Sequence, residues 1–248
     1  VPFVVDNTVA SPALLNPIEY GANIVIHSLT KYLTGNGTSL GGVIIDAGTF
    51  DWGNGNFPEF TEPNPSYHGL NYHEALGAIA FIAKVRIEGL RDLGSAPSPF
   101  NSFQSIQGIE TLDIRMKKHS ENALKLAAWL STNKEVAWVN YPGLKTSKYN
   151  DLAQKYLPTG QSGIVTFGRK KGFEGGTVVA DKTKLFALLA NIGDTKSLII
   201  HPASTTHQQL DEEAQKATGV TPDLIRLSVG LEDVNDLIED LENAFASL

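Results

Sequence analysis

An α/β fold is what this sequence predicts, and three observations predict it. Short apolar runs, Phe3–Val5, Ile24–Ile26 and Val43–Ile45, alternate with polar exits rich in Asp, Asn, Ser, Thr and Gly. Near-continuous apolar runs of that length suit strands buried on both faces, hence a mostly parallel sheet between helices. A helical period then governs the middle of the chain, and short apolar runs return beyond residue 130.

Taken in order, Phe3–Val5 ends on Asp6, and Ile24–Ile26 leads into Ser28-Leu29-Thr30-Lys31-Tyr32-Leu33 and the turn Gly35-Asn36-Gly37. Val43–Ile45 is the third strand. Residues 51–71 hold too much Pro and Gly for regular structure, and so long a loop is usually functional or interfacial. From Tyr72 to Leu93 the period is helical, with Leu76, Ile79, Ala83 and Leu90 on one face. Ser95-Ala96-Pro97-Ser98-Pro99 breaks it. A second helical region runs from about Phe100 to Leu130, with an interruption expected near Gly108. Val136–Val139, Ile164–Phe167, Leu198–Ile200 and Leu224–Val229 read as strands. Thr177–Leu189, Asp211–Ala217 and Asp233–Phe245 read as helices, with Gly219 placed as a C-cap ahead of Thr221-Pro222. The reading divides the chain into two domains, 1–118 and 119–248.

Composition narrows the function. The 248 residues carry a net charge of -7, which argues against a nucleic-acid surface built from clustered Lys and Arg. Lys117-Lys118-His119 reads as a solvated helix face. There is no cysteine, which excludes disulfides and thiolate metal sites. No apolar run approaches the ~20 residues that span a bilayer, and a cytoplasmic enzyme is expected. The chain starts inside an expected strand, Val1-Pro2-Phe3-Val4-Val5, which reads as the C-terminal portion of a longer polypeptide.

In α/β sheets ligands bind beyond the carboxyl ends of the strands. Asp6 and Ser28–Lys31 fall at two such ends. A lysine there can bind a cofactor aldehyde covalently, and a nearby carboxylate can keep a pyridine nitrogen protonated, which suggests a pyridoxal phosphate site. Ser28 and Thr30 can donate to phosphate oxygens. Each has a plainer alternative: Lys31 as a surface residue, Asp6 as a cap on Asp6-Asn7-Thr8. Gly35-Asn36-Gly37 and Gly41-Gly42 lack a nucleotide fingerprint and favour plain turns. Arg226, inside the apolar run 224–229, is either half of a buried ion pair or a fork for a substrate carboxylate. His201 and His207 have no third ligand in register, so no metal site is expected.

Asp6-Asn7-Thr8-Val9-Ala10-Ser11-Pro12, Gly21–Tyr32, Ser197–His207 and Ile225–Glu232 together resemble the trans-sulfuration (Cys/Met metabolism) pyridoxal phosphate enzymes. Phe57–Gly69, Ser98-Pro99-Phe100-Asn101 and Trp138–Leu144 are similar to the O-acetylhomoserine sulfhydrylase branch. The resemblance implies a fold-type-I transferase whose residues 1–118 are the C-terminal part of the large cofactor domain. It implies Lys31 as covalent anchor and proton shuttle, Asp6 at the ring nitrogen and Ser28 and Thr30 on the phosphate. It places Arg226 on the substrate carboxylate and Ser197 beside lysine and substrate. The implied reaction is γ-replacement: acetate leaves Cγ of O-acetyl-L-homoserine, and sulfide or methanethiol adds there. Cystathionine γ-synthase and methionine γ-lyase are the sister activities, and an inactive isolated chain is the non-enzymatic alternative. A homotetramer with shared sites is implied, with cofactor-binding segments supplied by sequence ahead of Val1.

Overall fold

The computed structural model describes residues 1–247. Its first half contains β1 (Val4–Asp6), α1 (Ser11–Leu14), β2 (Ile24–Ser28), a π-helical turn over Leu29–Leu33 and β3 (Gly42–Asp46). The helices α2 (Pro58–Thr61), α3 (Tyr72–Leu76), α4 (Ala80–Lys84), α5 (Arg91–Leu93), α6 (Pro99–Glu110) and α7 (Leu112–Thr132) follow. The second half contains β4 (Val136–Asn140), α8 (Asn150–Tyr156), β5 (Ile164–Arg169), α9 (Gly172–Lys182), β6 (Ala187–Leu188), β7 (Leu198–Ile200), α10 (Glu212–Ala217), β8 (Leu224–Ser228) and α11 (Val234–Phe245).

The expectation of a mostly parallel first sheet is corrected to a mixed one. Strands run β1-β2-β3, with β1 parallel to β2 and β3 antiparallel to it. The connection from Leu33 to Gly42 is too short for the crossover that a parallel neighbour needs, about a dozen residues. Gly35 (φ +83°) and Gly37 (φ +66°) turn the chain straight back instead. Nor is this sheet buried on both faces: Val4, Ile26 and Ile44 are exposed. The second sheet runs β4-β5-β8-β7-β6 and is antiparallel except for the β6–β7 pair.

The helical period of residues 72–93 is real but interrupted. Gly77 (φ +51°) ends α3, and a π-helical turn at Val85–Leu90 separates α4 from α5. The 51–71 segment is held by aromatic packing. Trp52 stacks on Phe60 at 4.4 Å and on Phe81 at 5.1 Å between ring centres.

Helix α6 starts on Ser98, whose side chain accepts from Asn101 N at 3.1 Å, with Pro99 in the first turn. The break expected near Gly108 falls at Thr111. Gly108 stays within the helix, and the position needs glycine because a Cβ there would lie 2.3 Å from Thr34 O and 2.5 Å from Leu33 O. The glycine lets α6 rest on the turn that carries Lys31.

Helix α7 joins the two halves. Leu112 and Met116 pack with Leu14, Tyr32 and Leu33. Further along, Ala123, Leu126, Ala127 and Leu130 join the core beneath the second sheet. The solvated face expected for Lys117-Lys118-His119 is also corrected, because His119 is fully buried. Its Nδ1 lies 2.7 Å from Val229 O, its ring meets Tyr32 edge-on, and burial pulls its pKa down to about 4.

In the second half, α9 spans Gly172–Lys182 where a helix over Thr177–Leu189 is expected, and α8 and β6 appear in addition. Asp240 on α11 accepts from the backbone N–H groups of Lys184, Leu185 and Phe186 at 2.8, 2.9 and 3.1 Å. That bonding fixes the chain in a turn after α9 and lets Ala187–Leu188 join the sheet.

Candidate functional site

The parallel pairing of β1 and β2 puts both strand exits at one sheet edge, with Asp6 opposite Ile26. The exits are tied together: Ser28 N donates to Thr8 Oγ1 at 2.8 Å. The Asp6 carboxylate accepts from Thr8 N at 3.0 Å, and hydrogen bonds from Thr8 hold its pKa below the usual carboxylate value. It is otherwise exposed and stays ionised. The Ser28 hydroxyl makes no hydrogen bond among the described residues, and Thr30 Oγ1 accepts from Gly41 N at 3.2 Å.

Lys31 sits within the π-helical turn at φ -96°, ψ -130°, outside the helical region. Its Nζ donates to Asn191 Oδ1 in the loop between β6 and β7. Burial lowers its pKa, and the nearby Arg226 charge lowers it further. Both effects raise the fraction of free amine, the nucleophilic form. Arg226 comes from β8, across the molecule in sequence, and its Nη2 donates to Ala190 O at 2.7 Å and to Asn191 O at 3.3 Å. No carboxylate pairs with Arg226 or Lys31 among the described residues, so the buried-ion-pair alternative for Arg226 has no partner. Two cationic side chains therefore flank one asparagine, a setting that attracts a carboxylate.

Ser197 is placed elsewhere. It is fully buried; its Oγ donates to Glu232 Oε2 at 2.8 Å and accepts from Gly230 N at 2.8 Å. The residue at the lysine is Asn191. Nothing in spacing links residue 191 to residue 31, and only the position of its loop, beyond the end of β6, singles it out. Gly35-Asn36-Gly37 serves as a docking turn for this loop. Thr195 N donates to Gly35 O at 2.7 Å, and a Cβ at Gly37 would lie 2.6 Å from Asp194 Oδ2. His201 uses both ring nitrogens within the fold, toward Ser204 Oγ at 2.8 Å and Pro222 O at 2.7 Å.

The donor set fits pyridoxal phosphate: one activated amine, an ionised carboxylate at the neighbouring strand exit and two hydroxyls at the start of the lysine turn. The Ser28 hydroxyl, partly exposed and without a partner among the described residues, is free to donate to such a ligand.

The family model described as Cys/Met metabolism PLP-dependent enzyme matches residues 1–246. The chain is 56% identical to an O-acetyl-L-homoserine sulfhydrylase of Leptospira meyeri, matching 100% of this chain and 58% of that protein. It is 49% identical to O-acetyl-L-homoserine sulfhydrylase 1 of Thermus thermophilus, over 99% of this chain and 59% of the relative. It is 46% identical to the homocysteine/cysteine synthase of Saccharomyces cerevisiae, over 100% and 59%. The chain thus spans somewhat under three fifths of these relatives' length. A crystal structure from Campylobacter jejuni, described as an O-acetylhomoserine (thiol)-lyase with N'-pyridoxyl-lysine-5'-monophosphate, superimposes with a TM-score of 0.92 at 44% identity. That match covers 99% of this chain and 59% of that one. With the family model matched over nearly its whole length, this chain belongs to the Cys/Met metabolism PLP-dependent enzymes and has their α/β, fold-type-I architecture.

Proposed function

We propose that a protein of the relatives' full length containing this chain catalyses γ-replacement on O-acetyl-L-homoserine. Sulfide, or methanethiol, takes the place of acetate at Cγ, and L-homocysteine, or methionine, is released. The observation that carries the reading is the convergence of Lys31 Nζ and the Arg226 guanidinium on Asn191 with no carboxylate to neutralise them. The similarity to proteins named as O-acetylhomoserine sulfhydrylases supports the choice of substrate.

Pyridoxal phosphate, when bound, supplies an electron sink for charge developed at the substrate α-carbon. Lys31 would anchor it and would carry protons at the substrate Cα and Cβ; its depressed pKa suits an amine that must alternate between base and acid. Arg226 holds the substrate carboxylate, which orients the Cα–H bond toward Lys31. Asp6 would keep a proton on the ring nitrogen, and Ser28 and Thr30 would hold the phosphate. By family analogy the working form is a cytoplasmic homotetramer.

A substrate panel tests the reading. The whole protein is expected to form homocysteine from O-acetylhomoserine and sulfide. Robust cystathionine formation from cysteine without sulfide-dependent turnover would replace it with a cystathionine synthase.

A further inference from the structure

Arg115 on α7 is buried, yet no carboxylate pairs with it among the described residues. Its guanidinium is spent on main-chain carbonyls. Nη1 donates to Tyr32 O at 2.8 Å; Nη2 donates to Gly108 O at 2.7 Å and to Leu33 O at 3.3 Å. Nε donates to Thr111 Oγ1 at 3.0 Å.

Tyr32 and Leu33 are the two residues after Lys31, and Gly108 lies in the last turn of α6. The last carbonyls of a helical segment carry partial negative charge; those of Tyr32 and Leu33 have no backbone N–H partner among the described residues, while Gly108 O also accepts from Thr111 N at 3.2 Å. One cation therefore bonds carbonyls at two helical ends at once. The fold makes room for it: a Cβ at Gly35 would lie 2.4 Å from Nη1. Lys31 lies inside the capped turn with non-helical φ and ψ, a conformation that persists only where neighbours over-determine it.

We propose that Arg115 is a positioning residue for Lys31. By clamping the Tyr32 and Leu33 carbonyls to that of Gly108, it holds the irregular backbone at Lys31 and keeps the amine aimed at Asn191 and Arg226. Without the clamp the turn relaxes toward regular helix, and the amine leaves that setting for one closer to solvent. This inference rests on the reading of Lys31 as the cofactor lysine.

The test is the pH profile of Lys31 acetylation by acetic anhydride in the cofactor-free whole protein. It is read by peptide mass spectrometry against the exposed Lys134 as internal reference. In Arg115→Ala the midpoint is expected to rise toward that of an ordinary lysine, with Lys31 labelling near pH 8 reduced at least about threefold. Arg115→Lys supplies charge without the fork and is expected between the two. Millimolar guanidinium should restore the Arg115→Ala profile toward wild type. A lowered Tm with an unmoved Lys31 profile would make Arg115 a scaffold residue and overturn the proposal. Should Arg115→Ala fail to fold, Arg115→Lys and Thr111→Val, which removes the Nε acceptor and the hydroxyl bond to Gly108 O but keeps the guanidinium, decide in its place. Unmoved profiles in both overturn the proposal. The two readings fail separately: cofactor found on another lysine removes the premise, whereas cofactor on Lys31 with an unmoved profile removes only the role of Arg115.

Discussion

Lys31 and Arg226 are 195 positions apart, yet the Arg226 charge helps to lower the pKa of Lys31. Burial is the larger influence on Lys31 and the Arg226 charge the smaller. Arg226→Met removes a like charge, so the Lys31 pKa should rise and less free amine should be present at neutral pH. The same change removes the carboxylate fork. We predict a KM for the amino-acid substrate raised about 100-fold, from the ~2–5 kcal/mol lost when one partner of a charge-assisted pair is removed. Arg226→Lys separates the two effects: the Lys31 acetylation profile should stay near wild type while KM still rises roughly tenfold. An Arg226→Met protein with wild-type KM would remove Arg226 from the site. At this scale two candidates stand out by pattern: Asp6 ends an apolar run and Arg226 interrupts one, and a polar group there needs a reason, whereas Lys31 lies in the turn beyond its strand. Asn191 was not legible, because its loop reaches the lysine through the pairing of β6 with β7, a contact that no local pattern encodes.

At the scale of elements, α6 rests on the lysine turn through Gly108. Alanine there gains at most about 1 kcal/mol of helix propensity. Against that, its Cβ would sit within 2.5 Å of two backbone carbonyl oxygens that cannot rotate away. Overpacking of this kind costs ~1–3 kcal/mol and wins. Gly108→Ala should lower Tm by about 2–8 °C in a thermal melt, and a Tm at or above wild type would contradict the packing described for α6. Helix α9 illustrates why some elements escape a local reading. Gly175 and Gly176 lower its propensity, but the packing leaves no room for a side chain: a Cβ on Gly176 would lie 2.4 Å from the His201 ring. Likewise the apolar residues 185–189 continue a helical pattern, and Asp240 from a distant helix turns them into a cap and a strand. The three apolar runs of the first half became strands as expected, but their direction depended on loop length rather than on their own composition.

At the scale of the whole molecule, the candidate site is composite. The first sheet contributes Asp6, Ser28, Thr30 and Lys31; the second contributes Arg226 and the loop bearing Asn191. Helix α7 is common to both cores, and through Arg115 it touches the lysine turn itself. The two lobes are thereby held in a fixed register about the lysine, and the geometry of the site depends on contacts from both. Among the described residues no helix is long and apolar enough to cross a membrane. The most direct test of this account is to reduce the cofactor-loaded whole protein with borohydride and map the labelled peptide. The phosphopyridoxyl group is predicted on Lys31, and Lys31→Ala is predicted to retain none. A label on any other lysine would contradict the account.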